Sequence, residues 1–332
     1  MSVLVTGVAG FIGMHVARAL LEHEQHVVGV DSINDYYDPT LKYARLKQLT
    51  KYKNFKFEKL DFSNLETSRT LLELYPDIDR VLHLGAQAGV RNSIDRPSDY
   101  LGSNLAGQLT ILELCRSLVT RASNRFNLVY ASSSSVYGSN TKVPFSVQHS
   151  TDHPISFYGA TKKAAEVMAH SYSHLYNIPT IGLRFFTVYG PWGRPDMSPY
   201  IFTKNILNGE KIHVFNDGNM KRDFTFIDDI VSGIVAALDN PPQNAKGNAP
   251  HKIYNIGNNK PIPLMDYINV IEKACGKTAL VELQPMQAGD VQETYADISQ
   301  SIDDLGYIPK TPIEIGIPRF VDWYRDYHDQ NI

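Results

Sequence analysis

The stretch Ser2-Val-Leu-Val-Thr-Gly-Val-Ala-Gly-Phe-Ile-Gly13 decides the fold of this chain. Its first five residues form a short, mainly apolar run, which predicts a buried strand. Gly7, Gly10 and Gly13 follow at the spacing of a tight turn that lets a phosphate group approach the backbone. Residues 15–21 then predict a helix, and the free N–H groups of a helix's first turn can bind a pyrophosphate. Strand, glycine turn and helix in this order are typical of a dinucleotide-binding unit.

An acidic residue follows the next predicted strand. The strand His26–Val30 ends directly before Asp31, whose carboxylate is well placed to accept a hydrogen bond from an adenosine ribose 2′-hydroxyl. The same charge would repel the 2′-phosphate of NADP, and no arginine adjoins Asp31 in the sequence. The positions of Lys42 and Arg45 are left to the tertiary structure. The pattern predicts NAD as the cofactor.

Strands and helices alternate through the first half of the chain. We predict further strands at 55–60, 80–84, 126–131 and 179–184, with helices at 65–74 and 104–118 between them. This alternation indicates the α/β class with a Rossmann-type, doubly wound parallel sheet. After residue 184 the elements become short and are separated by turns rich in Gly, Pro and Asn. We expect an NAD-binding domain at residues 1–180, to which part of 222–256 returns, and a smaller C-terminal substrate-binding domain at 181–332.

Bulk composition indicates a cytoplasmic enzyme. The chain has 332 residues, a 43% hydrophobic fraction and a formal net charge of -3, so its charge gives no sign of a nucleic-acid partner. We find neither a signal-peptide pattern at the start nor a run of ~18 apolar residues, and so we expect no membrane association. The two cysteines, Cys115 and Cys275, predict buried thiols rather than a disulfide framework or a metal site.

Tyr158 and Lys162 lie in the run Ser156-Phe-Tyr-Gly-Ala-Thr-Lys162. Side chains four residues apart share a face of a helix, so the Lys162 ammonium can lie beside the Tyr158 phenol and beside a bound nicotinamide ribose. A free tyrosine titrates near pH ~10, and a fixed positive charge lowers that pKa. We predict that Tyr158 is a general base activated by Lys162.

Three other tyrosines share this spacing, so the surrounding sequence distinguishes Tyr158. The predicted strand at 126–131 runs directly into Ser132-Ser-Ser-Ser135-Val-Tyr-Gly138, upstream of Tyr158. Ligands of open α/β sheets bind at the carboxyl ends of strands, which is where these hydroxyls would lie. The pairs that lack this context are Tyr43/Lys47, Tyr52/Lys56 and Tyr200/Lys204.

Together these motifs resemble the extended short-chain dehydrogenase/reductase superfamily, and most closely its nucleotide-sugar epimerases acting on UDP-glucuronate. The resemblance covers nearly the whole chain, and includes His83-Leu-Gly-Ala-Gln-Ala-Gly-Val-Arg91. Its most specific motif is Leu183-Arg-Phe-Phe-Thr-Val-Tyr-Gly-Pro-Trp-Gly-Arg-Pro-Asp-Met197. It implies a UDP-sugar substrate, tightly held NAD and a homodimer in which the helices at 104–118 and 158–176 pair across a two-fold axis.

The resemblance also implies roles for individual residues. It assigns catalysis to Tyr158, Lys162 and Ser133, with the Ser133 hydroxyl on the sugar 4-oxygen. It implies that the cofactor contacts Gly7, Gly10, Phe11, Ile12, Gly13, Asp31, Asn34, Asp61, Phe62, Leu84, Ala86, Ser103, Tyr158 and Lys162. It implies that the substrate contacts Ser134, Ser135, Thr187, Arg194, Arg222 and Asp290.

In this interpretation, two arginines bind the anionic groups of such a substrate. Arg222 matches a diphosphate-binding arginine of the family, and its alternative role is a surface salt bridge. Arg194, with the hydroxyls of Ser134, Ser135 and Thr187, is a candidate for holding a uronate carboxylate. The alternative for Arg194 is a loop residue that pairs with Asp196.

Several positions can be compared with the branches of this superfamily. Gly85 stands where the family usually has alanine, a change that we expect to leave nicotinamide packing intact. Gln287 stands where UDP-galactose epimerases usually have an arginine on the diphosphate, whereas uronate epimerases also look glutamine-like there. Ser134 and Ser135 occupy the positions where dehydratases place Asp-Glu and UDP-glucuronate decarboxylases place a glutamate. Dehydration is therefore disfavoured, because hydroxyls of ordinary pKa are poor acid-base catalysts.

We therefore expect C4 epimerisation of UDP-glucuronate through a transient 4-keto sugar. UDP-glucose/UDP-galactose 4-epimerisation uses the same catalytic residues, but an uncharged C6 group gives no reason for Arg194 and the clustered hydroxyls. Decarboxylation or dehydrogenation of a UDP-sugar remains an alternative. A non-catalytic NAD-binding regulator is another, although it would have no reason to retain Tyr158, Lys162 and Ser133 together.

Overall fold

The computed structural model describes residues 2–121, 123, 125–244, 248–287 and 289–329. The predicted outer domain limits at 1 and 332 lie outside these ranges. The strands are β1 Ser2–Thr6, β2 His26–Val30, β3 Phe55–Glu58, β4 Ile78–His83, β5 Leu128–Ser133, β6 Thr180–Phe185, β7 Thr187–Tyr189, β8 Lys211–Phe215, β9 Lys221–Phe226, β10 His251–Ile256, β11 Pro261–Pro263 and β12 Leu280–Gln284.

The α-helices alternate with these strands. They are α1 Phe11–Glu22, α2 Pro39–Leu49, α3 Glu66–Leu74, α4 Asn92–Asp95, α5 Pro97–Tyr100, α6 Gly107–Val119, α7 Phe157–Tyr176, α8 Ser198–Asn208, α9 Ile227–Asp239, α10 Leu264–Cys275, α11 Ser299–Leu305 and α12 Ile313–Asp329. A π-helical turn, Leu101–Ala106, precedes α6. A 3-10 turn, Ser134–Tyr137, follows β5. Within the described ranges, no helix combines the length and the apolar character needed to cross a bilayer.

The central sheet confirms the predicted fold class. Among the described residues it has seven strands in the order β3-β2-β1-β4-β5-β6-β10, and each neighbouring pair is parallel. Helices α1 and α9 pack together beside it, and α3, α6 and α7 form a second group. The strand order reverses between β1 and β4, which is the point where open α/β sheets form a ligand crevice.

The buried strands explain why these segments pair as they do. All five residues of β1 are buried, as expected for a parallel strand covered on both faces. Gly29 interrupts the apolar run of β2 because a Cβ there would lie 2.8 Å from Val8 Cγ1 and 2.9 Å from Phe55 Cε2. The glycine thus lets the first turn and β3 pack closely against β2.

The smaller lobe is built from short elements after β6. Strands β7, β9 and β11 form one sheet, and β8 pairs with β12 in another. Helices α8, α10 and α12 pack against one another. Arg45 of α2 joins this lobe to the larger one, because its guanidinium donates to the carbonyl of Trp192 at 2.7 Å and to that of Ala9 at 3.2 Å. Arg45 is fully buried by these contacts.

The two lobes interleave along the chain. Strand β6 begins at Thr180 but lies inside the central sheet between β5 and β10. Strand β10 returns to the sheet edge after α9, which packs on α1. We propose that the NAD-binding domain runs through β6 and is completed by α9 and β10. The other segments after β6 then form the substrate-binding domain.

Candidate active site

A cavity of about 920 Å³ opens at the carboxyl ends of the central strands. Every residue proposed above for catalysis, cofactor binding or substrate binding lines this one space. Sequence reasoning omitted several other lining residues, which include Tyr36, Lys42, Gln87, Arg91, His213 and Phe215. Lys42 lies on α2, and His213 and Phe215 lie on β8, and only the tertiary fold brings these elements to the cavity.

The glycine turn leaves room for a diphosphate. Gly7 has a φ of +70°, and a Cβ on it would lie 2.7 Å from the Gly85 backbone. A Cβ on Gly13 would lie 2.1 Å from the Gly7 carbonyl oxygen, so only glycine permits this approach. Gly10 caps α1 without a side-chain hydrogen bond, which leaves the first N–H groups of the helix available to an anion. This cradle fits the pyrophosphate of NAD.

Gly85 has a tighter environment than the sequence suggested. A Cβ on Gly85 would lie 2.5 Å from the Phe62 ring and 3.1 Å from the Gly7 nitrogen. The Phe62 ring therefore occupies the space that an alanine methyl at position 85 would need. The expectation that glycine at this position leaves nicotinamide packing intact stays a prediction.

Asp31 lies at the far end of the cavity from the serine run. Its carboxylate accepts hydrogen bonds from Ala9 N at 3.1 Å and from Ile33 N at 2.8 Å. Burial raises the pKa of Asp31, against the opposing effects of these bonds and of the Lys42 charge. Lys42 donates to the Asn34 carbonyl at 2.6 Å. The carboxylate is thus fixed in position before any ribose arrives.

The serine run and α7 meet at the opposite end. Ser133 is the last residue of β5, and Ser156 caps α7 by accepting a bond from Gly159 N at 3.0 Å. A Cβ on Gly159 would lie 2.5 Å from the Ser135 carbonyl oxygen, so glycine lets the first helical turn pack on the serines. Tyr158 lies in this turn, and its backbone N–H donates to Ser93 Oγ at 3.1 Å.

The neighbours of Tyr158 differ from those expected. Burial raises the pKa of its phenol, while a hydrogen bond with Ser133 and the positive charge of Arg194 act to lower it. The sequence suggested Lys162 for that lowering effect. It gave no signal for Arg194, because the two residues lie far apart along the chain.

Lys162 is held by the strand that carries the serines. Its ammonium donates to the Ala131 carbonyl at 2.9 Å. Burial lowers the pKa of Lys162 to about 8, and the nearby Glu166 carboxylate acts in the opposite direction. Lys162 therefore remains mainly protonated at neutral pH, and it lines the same cavity.

A buried network behind Lys162 was not foreseen. Glu166 accepts from Ser132 Oγ at 2.6 Å and forms a two-point ion pair with Arg184, at 2.8 and 2.9 Å. Arg184 also donates to the Tyr137 hydroxyl at 3.0 Å. This network ties β5, β6 and α7 together directly beneath the serine run. Its only sequence signal is the spacing of four between Lys162 and Glu166.

Arg194 forms the local ion pair considered for it, and its contact with a substrate carboxylate stays a prediction. Its Nε donates to Asp196 Oδ1 at 3.0 Å, so the local ion pair exists. Its side chain also lines the cavity, and it is 21% exposed. Thr187, at the start of β7, lines the same wall. A cation and a hydroxyl are thus available near the serine run.

Arg222 and Asp290 also line the cavity. Arg222 donates to the carbonyls of Lys221 and Gln292, at 3.0 and 3.1 Å. Burial lowers the pKa of Arg222, and the Asp290 charge opposes that effect. Asp290 forms its ion pair with Arg91 at 3.3 Å. The hydrogen bonds of Arg222 thus go to backbone carbonyls, and its charge faces the cavity.

Comparison with known proteins gives consistent results. Residues 3–257 match the family described as the NAD dependent epimerase/dehydratase family. Protein CapI of Staphylococcus aureus is 49% identical over 99% of this chain and 99% of its own length. UDP-glucuronate 4-epimerase 4 of Arabidopsis thaliana is 46% identical over 98% of this chain and 76% of its own length. The crystal structure of UDP-glucuronic acid 4-epimerase from Bacillus cereus, in complex with UDP-glucuronic acid and NAD, has 35% identity and a TM-score of 0.87, covering 98% of this chain and 100% of that chain.

Proposed function

Because the chain belongs to the NAD dependent epimerase/dehydratase family, we propose that it is an NAD-dependent isomerase that interconverts UDP-glucuronate and UDP-galacturonate. The observation that carries this proposal is a single cavity holding the glycine turn, the Ser133–Tyr158 pair and Arg194. In this proposal the glycine turn binds the dinucleotide, the Ser133–Tyr158 pair exchanges the proton of the sugar hydroxyl, and Arg194 binds the carboxylate.

Tyr158 and Ser133 perform the proton transfer. Tyr158 takes the proton of the sugar 4-hydroxyl, and Ser133 bonds both the phenol and the 4-oxygen. NAD, held by the glycine turn and Asp31, would supply the acceptor for the C4 hydride and the source from which that hydride returns to the opposite face. Between these events the 4-keto sugar turns about its link to the diphosphate. Tyr158 then gives the proton back, and the C4 configuration is inverted.

Lys162 positions the cofactor relative to Tyr158 in this proposal. Its ammonium is fixed to Ala131, on the strand that ends in Ser133. From this position it meets the nicotinamide ribose and favours the phenolate over the phenol. Arg194 adds a second positive charge on the substrate side. Burial raises the pKa of Tyr158, and the Ser133 hydrogen bond and the Arg194 charge oppose that effect. We propose that the Lys162 ammonium also helps to make the phenol a base near neutral pH.

The carboxylate of the substrate must also be restrained. A 4-keto uronate is a β-keto acid, and it loses carbon dioxide when its C5–carboxylate bond aligns with the carbonyl π system. Arg194 can grip both carboxylate oxygens, and the hydroxyls of Ser134, Ser135 and Thr187 can complete the set. Arg222 and Asp290 belong at the diphosphate and uridine end of the same cavity. Serines at 134 and 135 provide no acid-base pair for dehydration.

The test is proton NMR of the purified protein with UDP-glucuronate carrying deuterium at C4 and no added cofactor. We expect UDP-galacturonate that retains the deuterium, with no net NADH. Loss of deuterium to solvent, or a requirement for a stoichiometric oxidant, would contradict a hydride cycle confined to one site. Turnover of UDP-glucose in place of UDP-glucuronate would instead identify a UDP-galactose-type epimerase.

We further propose that the enzyme acts in the cytoplasm as a homodimer. Cys115 and Cys275 are free and buried, which suits a reducing compartment. On α7, Val167 is 58% exposed and Leu175 is 64% exposed in the single chain. Apolar side chains on one helix face favour a helical partner there.

A further inference from the structure

Tyr36, Asp196 and Arg194 form a hydrogen-bonded chain along one wall of the cavity. The Arg194 Nε donates to Asp196 Oδ1 at 3.0 Å, and Nη2 donates to Asp196 Oδ2. The Tyr36 hydroxyl donates to the same Oδ2 at 3.1 Å. All three side chains line the cavity. The arrangement places a protein carboxylate between a phenol and the guanidinium proposed to hold the substrate.

Asp196 occupies only one edge of the guanidinium. An arginine has five N–H donors in a planar fork, and Asp196 binds the edge formed by Nε and Nη2. Among the described residues, Nη1 has no hydrogen-bond partner. A second carboxylate can therefore approach the edge formed by Nη1 and Nη2. The guanidinium can be clamped by the protein on one side and bind the substrate on the other.

The clamp is ionised and fixed before substrate arrives. Burial acts to raise the pKa of Asp196, but the Arg194 charge and the bonds from Arg194 and Tyr36 hold that pKa below its ordinary value. Burial and the Asp196 charge raise the pKa of Tyr36, so its hydroxyl remains a donor at neutral pH. Neither group changes its protonation state under working conditions.

Tyr36 links this clamp to the cofactor lobe. It lies between β2 and α2, five residues after Asp31. A Cβ on Gly89 would lie 2.8 Å from the Tyr36 hydroxyl, so the phenol passes directly over that glycine. The orientation of Arg194 therefore depends on a loop that begins at the residue proposed to bind the adenosine ribose.

We propose that Asp196, held by Tyr36, is a positioning residue for Arg194 and thereby prevents the oxidised intermediate from losing its carboxylate. The inference rests on the proposed function, because it requires a uronate oxidised at C4. It adds to that function two residues that do not touch the reacting atoms.

The reaction being prevented is a simple decarboxylation. The C5–carboxylate bond breaks, carbon dioxide leaves, and the electron pair passes from C5 into an enolate with the C4 oxygen. A proton then adds at C5 and gives a UDP-4-keto-pentose. The bond breaks readily only when it stands perpendicular to the carbonyl plane. A guanidinium clamped by Asp196 keeps the carboxylate near the ring plane, and a loosened guanidinium lets it rotate.

The experiment compares Asp196→Asn and Tyr36→Phe with the parent enzyme, using UDP-glucuronate labelled with heavy carbon at C6. Labelled carbon dioxide is measured by mass spectrometry and UDP-galacturonate by NMR. We expect Asp196→Asn to raise the ratio of carbon dioxide to epimerised product by about tenfold, as for the loss of a charge-assisted contact. Tyr36→Phe removes one hydroxyl and should raise the ratio by about threefold.

A second cluster of the same chemistry provides matched controls. Outside the cavity, Tyr254 and Lys252 both donate to Asp304 Oδ2, at 2.8 and 2.7 Å. Asp304→Asn and Tyr254→Phe make the same chemical changes there and should leave the product ratio at the parent value. Asp196→Glu keeps the charge and should recover most of the product ratio.

The outcomes separate this inference from the proposed function. If the parent enzyme does not epimerise UDP-glucuronate, the proposed function fails and the inference fails with it. If the parent epimerises UDP-glucuronate but the Asp196 and Tyr36 variants keep its product ratio, only the positioning role is wrong. If the ratio of carbon dioxide to epimerised product rises equally in the Asp196 variant and in the Asp304 control, the positioning role is also refuted. General loosening of the fold would then explain the decarboxylation. Should Asp196→Asn not fold, Tyr36→Phe decides the question.

Discussion

Tyr158 depends on neighbours that are distant in sequence. Its phenol forms a hydrogen bond with Ser133 of β5, and the positive charge of Arg194, in the loop after β7, acts to lower its pKa. The residue at the expected helical spacing, Lys162, instead bonds the carbonyl of Ala131. The proposed base therefore has neighbours from separate segments of the chain, and Tyr158 and Arg194 are each tested below by a single substitution.

Tyr158→Phe removes the proton acceptor and preserves the packing of the ring. Loss of a general base typically lowers the rate by ~10²–10⁴-fold, and we expect turnover of UDP-glucuronate to fall by that factor with NAD content unchanged. Steady-state assays and the absorbance of released cofactor check both. Tyr43→Phe is the control, because Tyr43 has the same spacing to a lysine but is 54% exposed on α2. Near-normal turnover of Tyr158→Phe would assign the base to another residue.

Arg194→Ala and Thr187→Val test the carboxylate contact. Losing a charge-assisted contact costs about 1.5–3 kcal/mol, so we expect UDP-glucuronate to bind about one to two decades more weakly to Arg194→Ala. UDP-glucose presents no carboxylate and should lose less affinity. Calorimetric titration of both sugars gives the comparison. Equal losses for the two sugars would remove the reason to prefer a uronate.

At the scale of elements, one helix was predicted where the chain forms a π-helical turn followed by an α-helix. The predicted helix at 104–118 begins as a π-helical turn, Leu101–Ala106, before α6. Asn104 explains the change, because it exchanges hydrogen bonds with the Gln87 backbone and donates to Thr161 Oγ1 at 2.9 Å. These bonds reach into the loop after β4 and into α7. No local pattern could anticipate them.

Helix α7 has one face buried in the core and one face exposed in the single chain. Lys162 and Glu166 face the core and are buried, while Val167 and Leu175 remain exposed in the single chain. We predict that Val167→Glu converts a homodimer into a monomer, because a charge would be buried at the helix pairing. Light scattering at micromolar concentration measures the mass. Ile315→Glu, on a different exposed surface at 49% exposure, should leave the mass unchanged. A parent protein that is already monomeric would refute the dimer.

At the scale of the whole molecule, neutral buried imidazoles make folding sensitive to acid. Burial lowers the pKa of His15 to about 3, that of His83 to about 3 and that of His251 to about 4. The unfolded chain binds protons at these positions below about pH 6.5, and the folded chain does not. The free energy of unfolding therefore falls as the pH drops from about 6.5 toward the folded pKa values.

His15→Gln tests this coupling, since glutamine can still donate to the Pro191 carbonyl that His15 contacts at 2.9 Å. Between about pH 7.5 and about pH 5, the variant should lose about 2 kcal/mol less unfolding free energy than the parent. Urea unfolding at the two pH values measures the difference. His23→Gln, which changes an exposed side chain, should behave as the parent does. An identical pH dependence for His15→Gln and the parent would show that His15 is not neutral in the folded state.

The sequence by itself predicted most of the strands and helices in the first half of the chain, the glycine turn and the positions of the serine run and Tyr158. These follow from local rules, because burial on both sides of a parallel strand, a close approach to phosphate and a helix cap each leave a short-range pattern. The family resemblance then pointed to the proposed catalytic, cofactor and substrate residues, all of which line the cavity. Such signals need only neighbouring residues.

Only the tertiary structure decided which charges meet. Arg45 became a link between lobes, Asp196 gained a hydrogen bond from Tyr36, and Glu166 paired with Arg184 beneath the serine run. The physical reason is that side-chain electrostatics act over a few ångströms in space, between segments separated by many residues. The strand order brings those segments to one edge of the sheet, and no spacing along the chain records which guanidinium will face which carboxylate.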